Sequence, residues 1–167
     1  MIPPRYWDVT FNEISDLTGD VDGPSPKDLS GRYLQNIDEM MSRGVGLLLW
    51  GANGHGKTSL AVVLGKEMRR RGFTVLFAEC ADLKRSVIDK ESFDDDQTIW
   101  QRANSVDVLI MDDLGKEVQD STGFGVRLLD NLIRHRNANK MVTFITTNMN
   151  MSALKSELKA STMHSLK

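Results

Sequence analysis

The 167-residue sequence predicts an α/β fold in which helices cover both faces of a mostly parallel sheet. The apolar run 45–50 stops at a glycine-rich turn, and an apolar helix start follows at 60–64. A second largely apolar run, 106–111, ends in two acids, and a third, 141–147, ends at Asn148. Short apolar runs that alternate with helical patterns are typical of parallel strands, because such strands are buried on both faces.

Residues 51–58 fit the spacing G-x-x-x-x-G-K-T, the phosphate-binding loop of nucleotide hydrolases. Glycines let successive N–H groups form a concave nest for anionic oxygens, and the helix that begins near Lys57 adds its dipole. Lys57 can reach the β- and γ-phosphates, while the Thr58 hydroxyl can bind Mg²⁺. A chance glycine-rich turn is the alternative, but the flanking strand and helix argue against it. The predicted nucleotide contacts are Gly51, Ala52, Asn53, Gly54, His55, Gly56, Lys57, Thr58 and Ser59.

The acids Asp112 and Asp113 end the second apolar run, which is the pattern of a Walker B strand. A buried parallel strand carries its last residues to the sheet edge where the phosphate loop lies. We assign Asp112, with Thr58, to Mg²⁺, and Asp113 to orienting or deprotonating the attacking water. Asn148 can contact the γ-phosphate and hold that water. Lys57, Asp113 and Asn148 are therefore the predicted catalytic residues.

Composition narrows the class of protein. Hydrophobic residues make up 40% and charged residues 26% of the chain, as in an ordinary globular domain. A net charge of −2 gives no general attraction to nucleic acid, so such binding would need a local basic patch. Cys80 is the only cysteine, which excludes an internal disulfide and a cysteine-rich zinc site. Without a signal peptide or an apolar run of about 18 residues, we expect a cytoplasmic protein.

We expect one domain over 1–167, with an N-terminal strap over 1–30, a core over 45–150 and the start of a lid or tail over 151–167. Prolines and glycines interrupt the strap, yet its apolar residues predict that it lies against the core. It either packs there simply or lines the base pocket of the nucleotide. The candidate base-pocket residues are Ile2, Tyr6 and Trp7.

Apolar spacing and capping residues predict the remaining elements. One helix should cover 26–43 and end at Gly44, and Asp82 could cap the helix that follows the second strand. Ser152 is the candidate cap of a final helix or frayed tail. In chain order we predict strand 45–50, helix 58–71, strand 73–78, helix 82–90, strand 106–113, helix 124–136, strand 141–147 and helix or tail 151–167.

Together these motifs resemble the AAA+ ATPases of the helicase-loader and transposon-helper group, the DnaC-like and IstB-like proteins. The resemblance lies in Ile-Pro-Pro-Arg-Tyr at 2–6, the loop 51–58, Asp-Asp-Leu-Gly at 112–115 and Thr-Thr-Asn at 146–148. The last two motifs as a pair are more specific than the phosphate loop, which many families share. The resemblance implies a three-layer αβα P-loop NTPase with an AAA+ core. In it the strand that ends at Asn148, the sensor strand, lies between the strand before the phosphate loop, the Walker A strand, and the Walker B strand.

The resemblance also implies a function and partners. The cofactors would be ATP and Mg²⁺, and ATP would lie at subunit interfaces of a homo-oligomer that assembles with DNA, including single-stranded DNA. Asn148 would be the sensor-1 residue. Lys84, Arg85 and Lys90 lie where loaders carry DNA-contacting residues, although a solvated helix face is an equally good explanation.

The sequence departs from this family near both ends. Loaders usually carry a separate helicase-binding domain, whereas the family core starts here at residue 2. Family members also continue past Asn148 into a helix whose arginine reaches a neighbour's ATP, and residues 156–167 contain no arginine. We therefore expect an absent or truncated C-terminal lid and slow turnover, with Arg134 and Arg136 as candidate arginine fingers.

The leading functional hypothesis is an ATP-hydrolysing, helicase-loader-like factor in DNA replication, with a replicative helicase as partner. An IstB-like transposition helper, whose partner would be a transposase, is the first alternative. A nucleotide-dependent switch without useful turnover is the second, because the tail lacks an arginine. A small-molecule P-loop kinase is the third, but it would need a substrate pocket and an arginine-rich lid that the sequence does not display.

Overall fold

The computed structural model describes residues 2–14, 25–88, 98–115 and 123–158. Its strands are β1 (Leu47–Trp50), β2 (Val75–Glu79), β3 (Val108–Leu114) and β4 (Val142–Thr147). Its α-helices are α1 (Pro26–Gln35), α2 (Ile37–Arg43), α3 (Lys57–Arg70), α4 (Cys80–Ile88), α5 (Ile99–Ser105), α6 (Phe124–Ala138) and α7 (Met151–Glu157). Short 3₁₀ turns at Pro4–Tyr6 and Phe11–Glu13 precede them. Within the described residues, no helix is both long and apolar enough to span a bilayer.

The four strands form one parallel sheet in the order β1-β4-β3-β2. The predicted three-layer α/β fold is confirmed, and β4 lies between the Walker A and Walker B strands as expected. Trp50 pairs with Thr147, and Leu114 pairs with the same residue from the other side. The carboxyl ends of β1, β4 and β3 therefore meet at one edge, where open α/β sheets bind ligands.

Helices cover the sheet on both faces. One core cluster joins α1, α2 and α3 to the sheet, and the other joins α4, α5 and α6 to the opposite face. The approach of α3 is close at Gly65, where an added Cβ would lie 2.7 Å from Ile110 Cδ1. A side chain at that position would require Ile110 to shift, so Gly65 allows α3 to pack closely on β3.

Four local predictions need correction. The single helix expected over 26–43 is two helices, because the backbone of Asn36 leaves helical geometry (φ −111°, ψ 26°). The side-chain amide of Asn36 donates to Arg32 O at 2.8 Å. Asp82 is not a cap, since α4 begins at Cys80 directly after β2. Asn150, not Ser152, caps α7 by accepting from the N–H of Ala153. The short helix α5 was not predicted.

The cap of α5 shows why that helix could have been found. Thr98 accepts from the N–H of Gln101, and the Gln101 side chain accepts from the N–H of Thr98. This reciprocal pair is a capping box, a recognisable helix start. The predicted lid or tail begins as α7, and its residues 159–167 lie outside the described residues.

Candidate nucleotide-binding site

The loop between β1 and α3 has the backbone that its glycines require. Gly51, Gly54 and Gly56 have φ values of 138°, 81° and 71°, conformations that residues with a Cβ rarely adopt. The helix α3 begins at Lys57, so its free N–H groups point toward the loop. Lys57 Nζ donates to the carbonyls of Gly51 at 2.9 Å and Ala52 at 2.8 Å. Burial lowers the pKa of Lys57, while the charges of Asp113 and Asp112 act in the opposite direction.

The predicted metal ligands Thr58 and Asp112 lie in contact. Asp112 is 4% exposed at the end of β3, and its Oδ1 accepts from Thr58 Oγ1 at 2.8 Å. A hydroxyl and a carboxylate are hard oxygen ligands of the kind that Mg²⁺ prefers. No group of three or more His, Cys, Asp or Glu side chains suited to a metal occurs among the described residues. This pair fits Mg²⁺, which commonly completes its octahedral shell with water and substrate phosphates.

Asp113 leaves the regular path of β3. The pairing of β3 with β4 shifts between Met111 and Leu114, and Asp113 has a φ of 56°. A β-bulge of this kind redirects side chains, and here the Asp113 carboxylate accepts from Asn148 Nδ2 at 2.9 Å. Asp113 and Asn148, the two residues predicted to orient the attacking water, are therefore neighbours at the ends of adjacent strands.

All five predicted catalytic and metal-binding residues line one cleft of about 350 Å³, a volume within the range of small-molecule sites. Of the predicted loop contacts, Asn53, Gly54, Gly56, Lys57, Thr58 and Ser59 line this cleft. Gly51, Ala52 and His55 do not. Arg5, Tyr6, Glu79 and Thr146 complete the lining.

Of the candidate base-pocket residues, only Tyr6 lines the cleft. The Tyr6 ring lies 6.4 Å from the Phe77 ring, measured between centroids. Trp7 is 57% exposed, and its indole N–H donates to Ile2 O at 3.0 Å instead of facing the cleft. Ile2 packs against the core cluster on the α3 face. The base-pocket prediction therefore narrows to Tyr6.

Lys66, on the last turns of α3, anchors the strap. Its ammonium group donates to the carbonyls of Trp7 at 2.6 Å, Val9 at 2.8 Å and Tyr6 at 3.4 Å. One cation thus holds three carbonyls of the strap on the phosphate-loop helix. Through this contact the cleft acquires the Tyr6 ring and the neighbouring Arg5.

Three residues of the cleft, Arg5, Glu79 and Thr146, were not predicted from the sequence. The Arg5 guanidinium lies 4.9 Å from the centroid of the Tyr6 ring, a cation–π contact. Glu79 ends β2 opposite Asp112 in the strand register. A signal for Glu79 was present, because a polar residue at the end of a parallel strand reaches the same sheet edge as Asp112.

The prediction that Arg136 is an arginine finger is wrong, because its side chain lies inside the domain. It is 0% exposed, so its guanidinium does not reach a neighbouring subunit. Burial lowers its pKa to about 10, although the nearby Asp107 favours the charged form. Its hydrogen bonds at 3.0 Å or less go to Ala103 O, Val106 O, Val142 O and Thr143 Oγ1.

Of the other basic candidates, Arg134 and Arg85 lie on the surface and Lys84 is half-buried. Arg134 has a side chain that is 57% exposed and lies 4.0 Å from the Asp130 carboxylate. On α4, Arg85 pairs with Asp82 at 3.2 Å, and neither Arg85 nor Lys84 lines the nucleotide cleft. Lys90 lies outside the described residues. The structure leaves Lys84 and Arg85 as candidate DNA contacts separate from the nucleotide site.

Comparison with known proteins gives a family match over most of the chain. The model of the family described as IstB-like ATP binding protein matches residues 25–165. The replicative helicase loader DnaC of Escherichia coli strain K12 is 25% identical over 122 residues, which are 72% of this chain and 49% of DnaC. The replicative helicase loader DnaI of Bacillus subtilis strain 168 is 28% identical over 128 residues, 74% of this chain and 39% of DnaI. The chain spans about half the length, or less, of these relatives.

A solved structure of a DnaC helicase loader has the same fold. Its TM-score with this chain is 0.76 at 23% sequence identity, and the match covers 98% of this chain and 94% of that one. At this identity the likeness concerns the fold alone, an α/β AAA+ core with a parallel sheet.

Proposed function

The chain belongs to the IstB-like ATP-binding protein family, and we propose from this that it binds Mg·ATP in the cleft and hydrolyses it. The observation that carries the proposal is the joint placement of two polar pairs beside the phosphate loop. Asp112 accepts from Thr58, and Asp113 accepts from Asn148. These pairs lie in one cleft with Lys57, so groups for phosphate, metal and water converge on the same space.

Each group has a chemical role in this proposal. Lys57 exchanges its two loop carbonyls for the β- and γ-phosphate oxygens, and the N–H groups at the start of α3 contact the same anion. Thr58 and Asp112 hold Mg²⁺, which when bound neutralises charge on the phosphates. Asp113 orients the attacking water and accepts its proton, while Asn148 fixes the Asp113 carboxylate by a hydrogen bond of 2.9 Å.

We expect Asp113→Asn to retain Mg·ATP binding while hydrolysis falls about 10²-fold, the usual scale for losing a general base. The amide keeps the size of the side chain but accepts protons poorly. Phosphate release and calorimetric ATP titration, both at saturating Mg²⁺, measure the two effects separately. Asp38→Asn, an exposed neutralisation on α2, is the matched control and should change neither value. Loss of ATP binding in Asp113→Asn would instead make Asp113 the main metal ligand.

We further propose that ATP turnover serves a helicase-loader-like role in DNA replication. Support comes from DnaC and DnaI, two relatives named as replicative helicase loaders. The transposition helper, the other role that the sequence motifs resemble, is the second candidate, in keeping with the match to the IstB-like family. Mixing the ATP-bound chain with the replicative helicase and with a transposase from the same host, followed by sizing of the complexes, separates the two. Phosphate transfer to a small-molecule acceptor instead of water would support the kinase alternative.

We also propose that ATP-bound copies associate with one another. With Arg136 buried, Arg134 is the one of the two candidate fingers that a neighbouring subunit could contact. An arginine supplied in trans stabilises charge on the transferred phosphoryl group and has large effects in other P-loop enzymes. If no arginine performs this role, the chain acts as a slow enzyme or as a nucleotide-dependent switch.

For DNA, we expect the double variant Lys84→Glu, Arg85→Glu to weaken single-strand binding most strongly at low salt. Phosphate contacts by lysine and arginine release counterions, so their loss lowers the salt dependence of binding. Fluorescence anisotropy with a labelled oligonucleotide at several salt concentrations measures this effect. The double variant Arg43→Glu, Arg69→Glu reverses two exposed charges on α2 and α3 and so gives the same change in net charge. An unchanged isotherm would assign Lys84 and Arg85 to a solvated helix face.

A further inference from the structure

Thr146 contacts both acids at the end of β3. It lies on β4 with 2% of its surface exposed, and its Oγ1 donates to Asp112 Oδ1 at 2.6 Å. The same oxygen accepts from the Asp113 N–H at 3.0 Å. A hydroxyl has one proton to donate and lone pairs to accept with, so both contacts are satisfied in a defined direction. This one side chain therefore constrains the metal-binding acid and the water-orienting acid together.

At Asp112, the hydroxyl sets the rotation of the carboxylate. Oδ1 accepts from Thr58 and from Thr146, two donors that approach from different elements, α3 and β4. Both donors bond Oδ1 and not Oδ2, and Asp112 lines the cleft. These two hydrogen bonds restrict rotation of the Asp112 carboxylate, so its Oδ1 keeps a fixed position. Without Thr146 only the Thr58 contact would restrain this rotation.

At Asp113, the hydroxyl replaces a missing strand contact. The register runs Met111 with Ile145 and resumes at Leu114 with Thr147, so the ladder is interrupted at the two acids. A φ of 56° is uncommon for a residue with a side chain and persists only where the surroundings fix it. The Asp113 N–H, freed from the ladder, donates to Thr146 Oγ1. This bond stabilises the bulge that brings the Asp113 carboxylate to Asn148.

We infer that Thr146 is a positioning residue that couples the geometry of the Mg²⁺ ligand Asp112 to that of the water-orienting Asp113. The inference rests on the proposed function of the same site. Because Thr146 itself contacts neither phosphate nor water in this scheme, it acts through the two acids. Second-layer contacts of this kind typically change metal affinity or activity by about 10- to 100-fold.

The neighbouring Thr147 provides a matched control. It is equally buried and follows on the same strand, but its side chain faces the other way. Its hydroxyl donates to Leu114 O and accepts from the Met149 N–H at 3.1 Å, and it contacts neither acid. Thr147→Val therefore removes a buried, hydrogen-bonded hydroxyl without touching the Walker B acids.

The test compares the full chain with Thr146→Val, Thr146→Ser and Thr147→Val. The midpoint of the Mg²⁺ titration is measured by binding of a fluorescent ATP analogue, and kcat is measured by phosphate release. We expect Thr146→Val to raise the Mg²⁺ midpoint and lower kcat, each by about tenfold or more. Thr146→Ser keeps the hydroxyl and should restore both values. Thr147→Val should reduce stability toward urea while leaving the Mg²⁺ midpoint unchanged.

Two results would overturn the inference. One is a Thr146→Val protein whose Mg²⁺ midpoint and kcat equal those of Thr147→Val at matched folded fraction. The other is a failure of serine to restore them. If the valine variant does not fold, Thr146→Ala takes its place, since the smaller side chain removes the hydroxyl without adding bulk. A wild-type chain that binds no Mg·ATP would refute the proposed function itself, whereas binding without turnover still leaves the Mg²⁺ midpoint to decide the role of Thr146.

Discussion

Lys57→Ala is expected to weaken the affinity for ATP by at least about 10²-fold, which corresponds to a loss of about 2.7 kcal/mol of binding free energy. Its ammonium group is the cation within the phosphate loop, where burial makes its charge more effective than on the surface. Hydrogen bonds to charged groups contribute about 1.5–3 kcal/mol each, and the lysine is positioned to make more than one with the phosphates. Isothermal titration with ATP in saturating Mg²⁺ measures the loss directly.

Arg69→Ala is the control for this experiment. Arg69 lies on the same helix, twelve residues and therefore about 18 Å further along the axis, and is exposed. It removes one positive charge from α3 without removing a group from the cleft. Circular dichroism on both variants confirms that they are folded before titration. A folded Lys57→Ala protein with unchanged ATP affinity would refute the assignment of residues 51–58 as a phosphate loop.

The parts of the site that follow from local pattern were predictable from the sequence. The glycine spacing of the loop, the acids after a buried run and Asn148 after another are fixed by neighbours in the chain. Parallel strands then carry these residues to one edge, because the sheet order places β4 between β1 and β3. The three-layer architecture could therefore be predicted from these patterns, whereas the AAA+ assignment came from the resemblance of the motifs to the helicase-loader and transposon-helper group.

Two of the three cleft residues that were not predicted, Arg5 and Thr146, depend on contacts between distant parts of the chain. Arg5 reaches the cleft, beside the predicted Tyr6, because Lys66, about 60 positions away, donates hydrogen bonds to carbonyls of the strap. Thr146 faces the acids rather than the opposite side only because of the strand register at the bulge. Periodicity within a single segment does not specify a register shift or the partner of a distant lysine.

The misassignment of Arg136 has the same origin. Its acceptors include the carbonyls of Ala103 and Val106 at the end of α5, a helix that was not predicted. Without α5, the arginine before the sensor strand has no visible partner in the sequence and resembles a residue reserved for a neighbouring subunit. The helix that completes its surroundings makes it a core residue instead.

We expect Arg136→Met to lower the free energy of unfolding by about 3 kcal/mol or more. Methionine replaces the aliphatic stem but not the five donors, so the carbonyls of Ala103, Val106 and Val142 lose the partner that Arg136 provides. An unsatisfied buried polar group costs about 1–3 kcal/mol, and the three lie at the junction of α5, β3 and β4. Urea denaturation followed by circular dichroism measures the change, provided that unfolding is two-state.

Arg69→Met on α3 is the control, since the loss of an exposed charge usually changes stability by no more than about 0.5 kcal/mol. The pair of variants also separates a structural role from a catalytic one. An Arg136→Met protein with wild-type stability and an ATPase rate reduced about 10³-fold would identify Arg136 as a finger and contradict the buried position. The buried contacts of the guanidinium instead predict that Arg136→Met is less stable. Its ATPase activity should then fall only in proportion to the fraction of protein that is unfolded.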